Sequence, residues 1–382
     1  MKRILLLIVC SLVILTACTS ENSPAKVTTA QPQSQAGDDS SASANDSEGL
    51  AEGSIKESVS ANLMIDAEIS SSDVNSVEVY SGKLQIFEID NIINLFLGDK
   101  EIVSHDKEEP EGTYDFIVAE DNSILSRIDT SFTCQTPYYK NYFSPLINWN
   151  YFFETGEIDS HPSTQDLGFA TQVEIETQFA KDLDAIGLKQ KVSFKTYAFD
   201  YHYLSDREEE LKATGYYDSI IEGKPKGNWN AADDCYLIVA KFTMGDMGVI
   251  DREVRLGEFT SIPPSYVLAL YSQNGLESLS VFNPYEIELQ QSEKTNIISL
   301  EAAKQIAIDK YDSIITDHIF TINKIQLIYV PSQDGKGIKL VPVWLFTVAE
   351  SYIDTNNGVG EEQKIESSTS LLIDAFSGKE II

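Results

Sequence analysis

Ile373-Asp374-Ala375-Phe376-Ser377-Gly378-Lys379-Glu380-Ile381 closes the chain as a strand, a glycine turn and a short return. Immediately upstream, Ser370 to Phe376, Leu340 to Val348 and Ile322 to Val330 read as strands. Before them Ser299 stands as an N-cap to a helix whose Leu300, Ala303, Ile306, Ala307, Tyr311 and Ile314 share one face. The unit predicted for residues 296–382 is therefore one helix laid on a small antiparallel sheet.

Further upstream, Thr171 to Ile186 carries Val173, Ile175, Phe179, Leu183 and Ile186 at near-helical spacing, with Gly187 as its cap. Lys191 to Tyr203 reads as a strand from the alternation of Tyr197, Phe199, Tyr201 and Tyr203, and Cys235 to Phe242 as another. Tyr266–Tyr271 and Leu276–Phe282 flank Gln273-Asn274-Gly275, and Asn-Gly between two apolar runs is the strongest short hairpin signal in the chain. Toward the start, Leu63, Ile65, Ala67 and Ile69 alternate as in a half-buried strand, and Val77–Tyr80 follows as a second. A helix-like run spans Ile89 to Leu97, and a strand pair turns at Glu120-Asp121-Asn122, whereas the polar stretch from Asp99 to Thr113 reads as a loop. The expected class is α+β, helices packed on antiparallel sheets. An internal duplication is also expected, because helix-then-sheet recurs from Thr171 to the Asn274 hairpin and again from Ser299.

The chain has 382 residues, 28 Lys+Arg against 60 Asp+Glu, and a net charge of −32. Such a charge repels a phosphate backbone, so no nucleic-acid partner is expected. Lys2 and Arg3, the apolar run Ile4 to Ile14, and Leu15-Thr16-Ala17-Cys18 read as a signal peptide over 1–17 ending in a lipobox. The run is too short to span a bilayer, which takes roughly 20 apolar residues. Cleavage before Cys18 leaves 26 Lys+Arg against 60 Asp+Glu, a mature charge of −34. Residues 18–59 are mostly Ser, Ala, Asp, Gln and Gly without an aromatic, so they read as a disordered tether with a reach of roughly 35 Å. The folded part is expected as an N-terminal region, 60–295, and a C-terminal domain, 296–382. After loss of Cys10 with the signal and acylation of Cys18, only Cys134 and Cys235 remain to pair. A single bridge and a buried strand thiol at Cys235 are both open readings.

The terminal unit resembles the PepSY-like fold, with Asp374-Ala375, Gly378 and Glu380 matching the acidic and glycine positions of its last hairpin. The helix after Ser299, the strand ending Tyr329-Val330-Pro331 and the Leu340-Val341-Pro342-Val343-Trp344 strand resemble the C-terminal half of YycH/YycI-class proteins, membrane-anchored extracytoplasmic regulators of a sensor histidine kinase. Those proteins are held by a transmembrane helix; this sequence carries a lipobox instead. Leu63-Met64-Ile65-Asp66-Ala67, Val79-Tyr80 and the Leu340–Trp344 segment also resemble a lipoprotein family of Gram-positive bacteria carrying a domain of unknown function. The lipobox resemblance implies a lipid-modified Cys18 on the outer face of the cytoplasmic membrane. Two acyl chains there anchor a large soluble domain stably.

Catalytic signatures are sparse. His105, His161, His202 and His318 lie far apart without a metal-ligand spacing, and no Gly-x-Ser-x-Gly elbow occurs. Gly335-Lys336-Gly337 and Gly358-Val359-Gly360 lack the remaining residues of a phosphate loop, so no cofactor is expected. Glu108-Glu109, Asp233-Asp234 and Glu361-Glu362 are paired acids, but with 60 acids adjacency carries little information. Tyr138, Tyr139, Tyr142, Phe143, Trp149, Tyr151, Phe152 and Phe153 form an aromatic cluster that reads as core more readily than as a groove for sugar or peptide. The expected role is non-enzymatic binding or regulation at the envelope, with a sensor kinase, protease or transporter as the class of partner. The alternative is an envelope enzyme acting on polysaccharide or peptide, which requires a cleft where two carboxylates converge beside aromatics.

Overall fold

Cys235-Tyr236-Leu237-Ile238-Val239-Ala240-Lys241-Phe242 is apolar at nearly every position, the pattern of a strand covered on both faces. The structure, a computed structural model, places it so. The described residues are 53–70, 74–108, 114–148, 152, 158, 165–219, 224–256, 261–334, 337–354 and 363–381. In chain order the strands are β1 (Gly53–Ser58), β2 (Leu63–Ser70), β3 (Ser76–Leu84), β4 (Ile102–Glu108), β5 (Tyr114–Ala119), β6 (Ile124–Ile128), β7 (Ser131–Gln135), β8 (Val192–Phe199), β9 (Cys235–Met244), β10 (Met247–Gly248), β11 (Val254–Arg255), β12 (Ser261–Ile262), β13 (Tyr266–Ser272), β14 (Gly275–Phe282), β15 (Tyr285–Asn296), β16 (Ile319–Asp334), β17 (Gly337–Asp354) and β18 (Gln363–Asp374). A seven-stranded sheet runs β1-β2-β16-β17-β3-β15 with β18 also beside β17, and a nine-stranded sheet runs β10-β9-β13-β14-β7-β6-β5-β4 with β8 beside β9. β11 and β12 make a third, two-stranded sheet.

Along β9 the alternation resolves into two cores. Tyr236, Ile238, Ala240 and Phe242 join a large cluster that includes Ile325, Trp344 and Phe346 of the seven-stranded sheet. Cys235, Leu237 and Val239 face a second cluster with Phe143, Leu146, Phe152, Phe199 and Leu204. The sheets also meet through the backbone, where Ile250 donates to the Tyr329 carbonyl at 2.9 Å.

This architecture corrects the expected class. The described residues are mostly β, 50% strand and 23% helix, rather than an α+β fold of helices packed on antiparallel sheets. The difference lies in polar edge strands. β4 forms where a loop was expected, and each of its residues is exposed. β1 lies inside the expected tether, and β15 runs through a largely polar stretch. Such strands are held by backbone pairing and carry no apolar alternation to betray them. The strand expected over Lys191–Tyr203 ends at Phe199; Asp200 then caps a helix, Tyr201–Ala213, by accepting from Tyr203 N at 2.9 Å. That helix also sets the two supposed repeats apart. It interrupts the sheet after the Gln172–Ala185 helix, whereas the Leu300–Asp312 helix is followed directly by β16, β17 and β18.

The described residues all belong to one compact unit, Gly49–Ile382. Strands from both sides of residue 295 share the seven-stranded sheet: β2 pairs parallel with β16, and β3 pairs with β17. The Asn274-Gly275 hairpin forms as read, with Ser272 opposite Gly275 and Gly275 at φ +100°, a conformation that favours glycine.

Candidate functional site

Four connections converge at one end of the nine-stranded sheet. The β13–β14 turn brings Asn274, Leu276 and Glu277. β7 leaves the sheet through Thr136 and Pro137 into a π-helical turn, Tyr139–Phe143, which adds Asn141 and Tyr142; Tyr138 is its first flanking residue. The β5–β6 turn supplies Asp121, and the end of the Ile89–Phe96 helix supplies Leu95 and Phe96, with Lys100 just beyond. Together they line a groove of about 600 Å³. This volume suits a small molecule.

Glu277 sits at its base, only 3% exposed. One carboxylate oxygen accepts from Ser272 Oγ at 2.7 Å and from Asn274 Nδ2 at 3.4 Å, while the other accepts from Thr136 Oγ1. Thr136 N donates to the Glu277 carbonyl at 2.9 Å, so backbone and side chain fix this residue together. Elsewhere in the lining Lys100 Nζ pairs with Asp121 Oδ2 at 2.8 Å. Burial alone would raise the Asp121 carboxyl, yet Lys100 and the hydrogen bonds from Ser123 hold it below the ordinary aspartate value.

Tyr138 and Tyr142 meet edge to face, centroids 5.1 Å apart. Behind them Tyr138 donates to Asp233, which also pairs with Lys226. Lys226 Nζ lies 4.8 Å from the Trp229 ring centroid. The aromatic cluster thus divides in two: Phe143 and Phe152 are core, while Tyr138 and Tyr142 form the groove wall. Trp149, Tyr151 and Phe153 lie outside the described residues.

The other candidates occupy separate places. Cys134 and Cys235 are buried free thiols and do not pair. Strands β9, β13, β14 and β7 put three strand spacings between them, about 14 Å, beyond the roughly 7 Å a disulfide tolerates. They also face different cores. Cys18 lies outside the described residues, as do His161, Glu109, Glu361 and Glu362, and the glycine pairs apart from Gly337, which starts β17. His105 contacts Asp115 at 2.7 Å, His202 lies tilted against the Tyr201 ring, and His318 lies 2.5 Å from Glu350 and stacks on Tyr352. Asp233 caps a short turn through Asn230 N, and Asp234 accepts from Tyr201 N at 2.8 Å, so this acid pair anchors loops. Among the described residues no three His, Cys, Asp or Glu side chains are grouped to hold a metal ion, and no helix is long and apolar enough to cross a membrane.

Sequence reading missed Asp121, Thr136, Asn274 and Glu277 as partners. The two turns that carry Asp121 and Asn274 are legible; their meeting across some 150 residues of intervening chain is not.

No protein-family model and no curated protein matches the chain. Among solved structures, the crystal structure of an uncharacterized protein from Eubacterium rectale superposes with a TM-score of 0.58 at 16% identity, covering 86% of this chain and 93% of that one. At that identity the likeness is one of fold alone.

Proposed function

We propose that this chain is an extracytoplasmic lipoprotein, anchored through Cys18 on the outer face of the cytoplasmic membrane, with a non-enzymatic binding and regulatory role. The observation that carries the binding part is the groove between the Asn274 turn and the Tyr138–Tyr142 wall, where aromatic rings, two side-chain amides and two carboxylates face one space. Asp121, Asn274 and Glu277 are held by hydrogen bonds and an ion pair to neighbouring groups, the preorganisation that lowers the cost of capturing a ligand. The lipobox supports the anchor, and the stretch between Cys18 and β1 supplies the search radius toward a sensor kinase, protease or transporter.

Two measurements test this. Cys18→Ala should release the protein from the membrane fraction or leave it unprocessed; a variant that stays anchored and mature overturns the anchor. A photo-crosslinking residue at Asn141, on the groove wall, should capture a recurrent envelope ligand or protein in intact cells, and one placed at Lys195, far along β8, should not. Equal capture from both positions overturns the groove as the binding site.

The enzymatic reading has one observation in its favour, since Asp121 and Glu277 line the same cleft beside two tyrosines. It predicts turnover of glycan or peptide substrates that Asp121→Asn and Glu277→Gln each abolish. The binding reading is preferred because both carboxylates are engaged by groups of the protein itself.

A further inference from the structure

The charges of the groove do not balance. Asp121 is matched by Lys100, whereas Glu277 is hydrogen-bonded only by the neutral groups of Thr136, Ser272 and Asn274. Among the described residues no Lys, Arg or His lies within ion-pair distance of Glu277. A buried carboxylate without a counter-ion is costly, and neutral donors orient it without cancelling its charge. Three of its roughly four acceptor sites are filled, leaving room for one further donor. A ligand that fills the groove can supply it.

We infer that the groove takes a small organic cation, its protonated amino group set against Glu277 and its apolar body against Tyr138, Tyr142, Leu95 and Leu276. This rests on the groove being a binding site and names the chemistry of its ligand. Three further observations agree. Tyrosine rings attract a cation through their faces, and Lys226 placed against Tyr138 and Trp229 is an internal instance of the same contact. Leu95, Phe96, Pro137 and Leu276 give an apolar surface that a bare metal ion would not use. The net charge of −32 attracts cations to any cleft of this surface and opposes anions.

The test compares three probes of one shape on the full mature chain by calorimetry: phenethylamine, the neutral 2-phenylethanol and the anionic 3-phenylpropionate. Phenethylamine should bind at least about tenfold more tightly than 2-phenylethanol, and the carboxylate not at all. Glu277→Gln should erase the amine's advantage, and Tyr142→Ala should weaken the amine further than Tyr142→Phe, which keeps the ring. Equal affinity for amine and alcohol overturns the cation assignment while leaving a neutral-ligand groove in place. No binding of any probe up to about 10 mM overturns both the assignment and the groove as a small-molecule site. Should Glu277→Gln fail to fold, the comparison of amine with alcohol on the unaltered chain decides alone.

Discussion

Glu208 is a carboxylate only 1% exposed, and its surroundings explain why it is tolerated. It accepts from Lys212 Nζ at 2.8 Å, Lys226 N at 2.5 Å, Gly227 N at 2.9 Å and Trp229 Nε1 at 3.1 Å, clasping the segment after residue 224 to the Tyr201–Ala213 helix. Burial would raise this carboxyl, but Lys212 and the other donors outweigh it and hold the group below the ordinary glutamate value. Because the folded value is depressed, the contribution is full above the unfolded value of about 4.3 and is lost as pH falls through the folded one. Glu208→Ala should cost about 3 kcal/mol in denaturant unfolding, since it strands buried donors. The stability gap between the natural chain and Glu208→Gln should be widest near neutral pH and narrow in acid; a pH-independent gap would show that charge plays no part. The buried thiols give a second residue-scale expectation. Burial pushes Cys134 and Cys235 upward, so neither is a ready thiolate. Peptide mass spectrometry after alkylation should find both unmodified in the native protein and both modified in denaturant. Neither Glu208's clasp nor the separation of the thiols is written in their local sequence, because each depends on strands and loops brought together from afar.

At the scale of elements, legibility followed apolar periodicity. β2, β9, β13 and the helices at Gln172–Ala185 and Leu300–Asp312 announce themselves because burial of one or both faces writes a repeat into the sequence. β1 and β4 do not, since edge strands earn their place through main-chain hydrogen bonds, to which side chains are largely indifferent. The aromatic alternation from Tyr197 to Tyr203 misled for a related reason: Asp200 caps a helix midway, so two elements share one pattern. β3 and β15 add a constraint that composition hides. A Cβ on Gly82 would lie 2.2 Å from the Glu286 carbonyl oxygen, a backbone atom that cannot step aside cheaply. The adjoining register shift between Ile287 and Leu289 marks where the pairing bends around it. Gly82→Ala should therefore lower stability by about 2 kcal/mol, read as a shift in denaturation midpoint. An unchanged midpoint would mean that the two strands separate there at no cost.

Across the whole molecule, the order of strands in space overrides their order in the chain. The helix-and-sheet unit after Ser299 reads locally as a domain of its own, yet its strands complete a sheet begun by β1, β2 and β3 at the other end of the folded chain. β2 takes β16 as its parallel neighbour, and β17 pairs with β3, β16 and β18. Parallel pairing of segments some 250 residues apart leaves no signal in a sequence window, which is why the sequence suggests a boundary near 295 that the sheet crosses. Cutting there would strip β2 of β16 and β3 of β17 and expose Leu63, Ile65 and Tyr80, all buried in the common core. Separately produced chains covering 53–295 and 296–382 should each lack dispersed amide resonances and aggregate, while 53–382 should unfold in one cooperative transition. A well-dispersed spectrum from 296–382 alone would show instead that the terminal helix and β16–β18 hold their own core, and that the shared sheet is an interface between two domains. The groove gives an independent check, because its walls come wholly from residues before 295. If 53–295 were to fold alone and still bind phenethylamine, the seven-stranded sheet would be support for the site rather than part of its folding unit; loss of binding with loss of structure is the expected result.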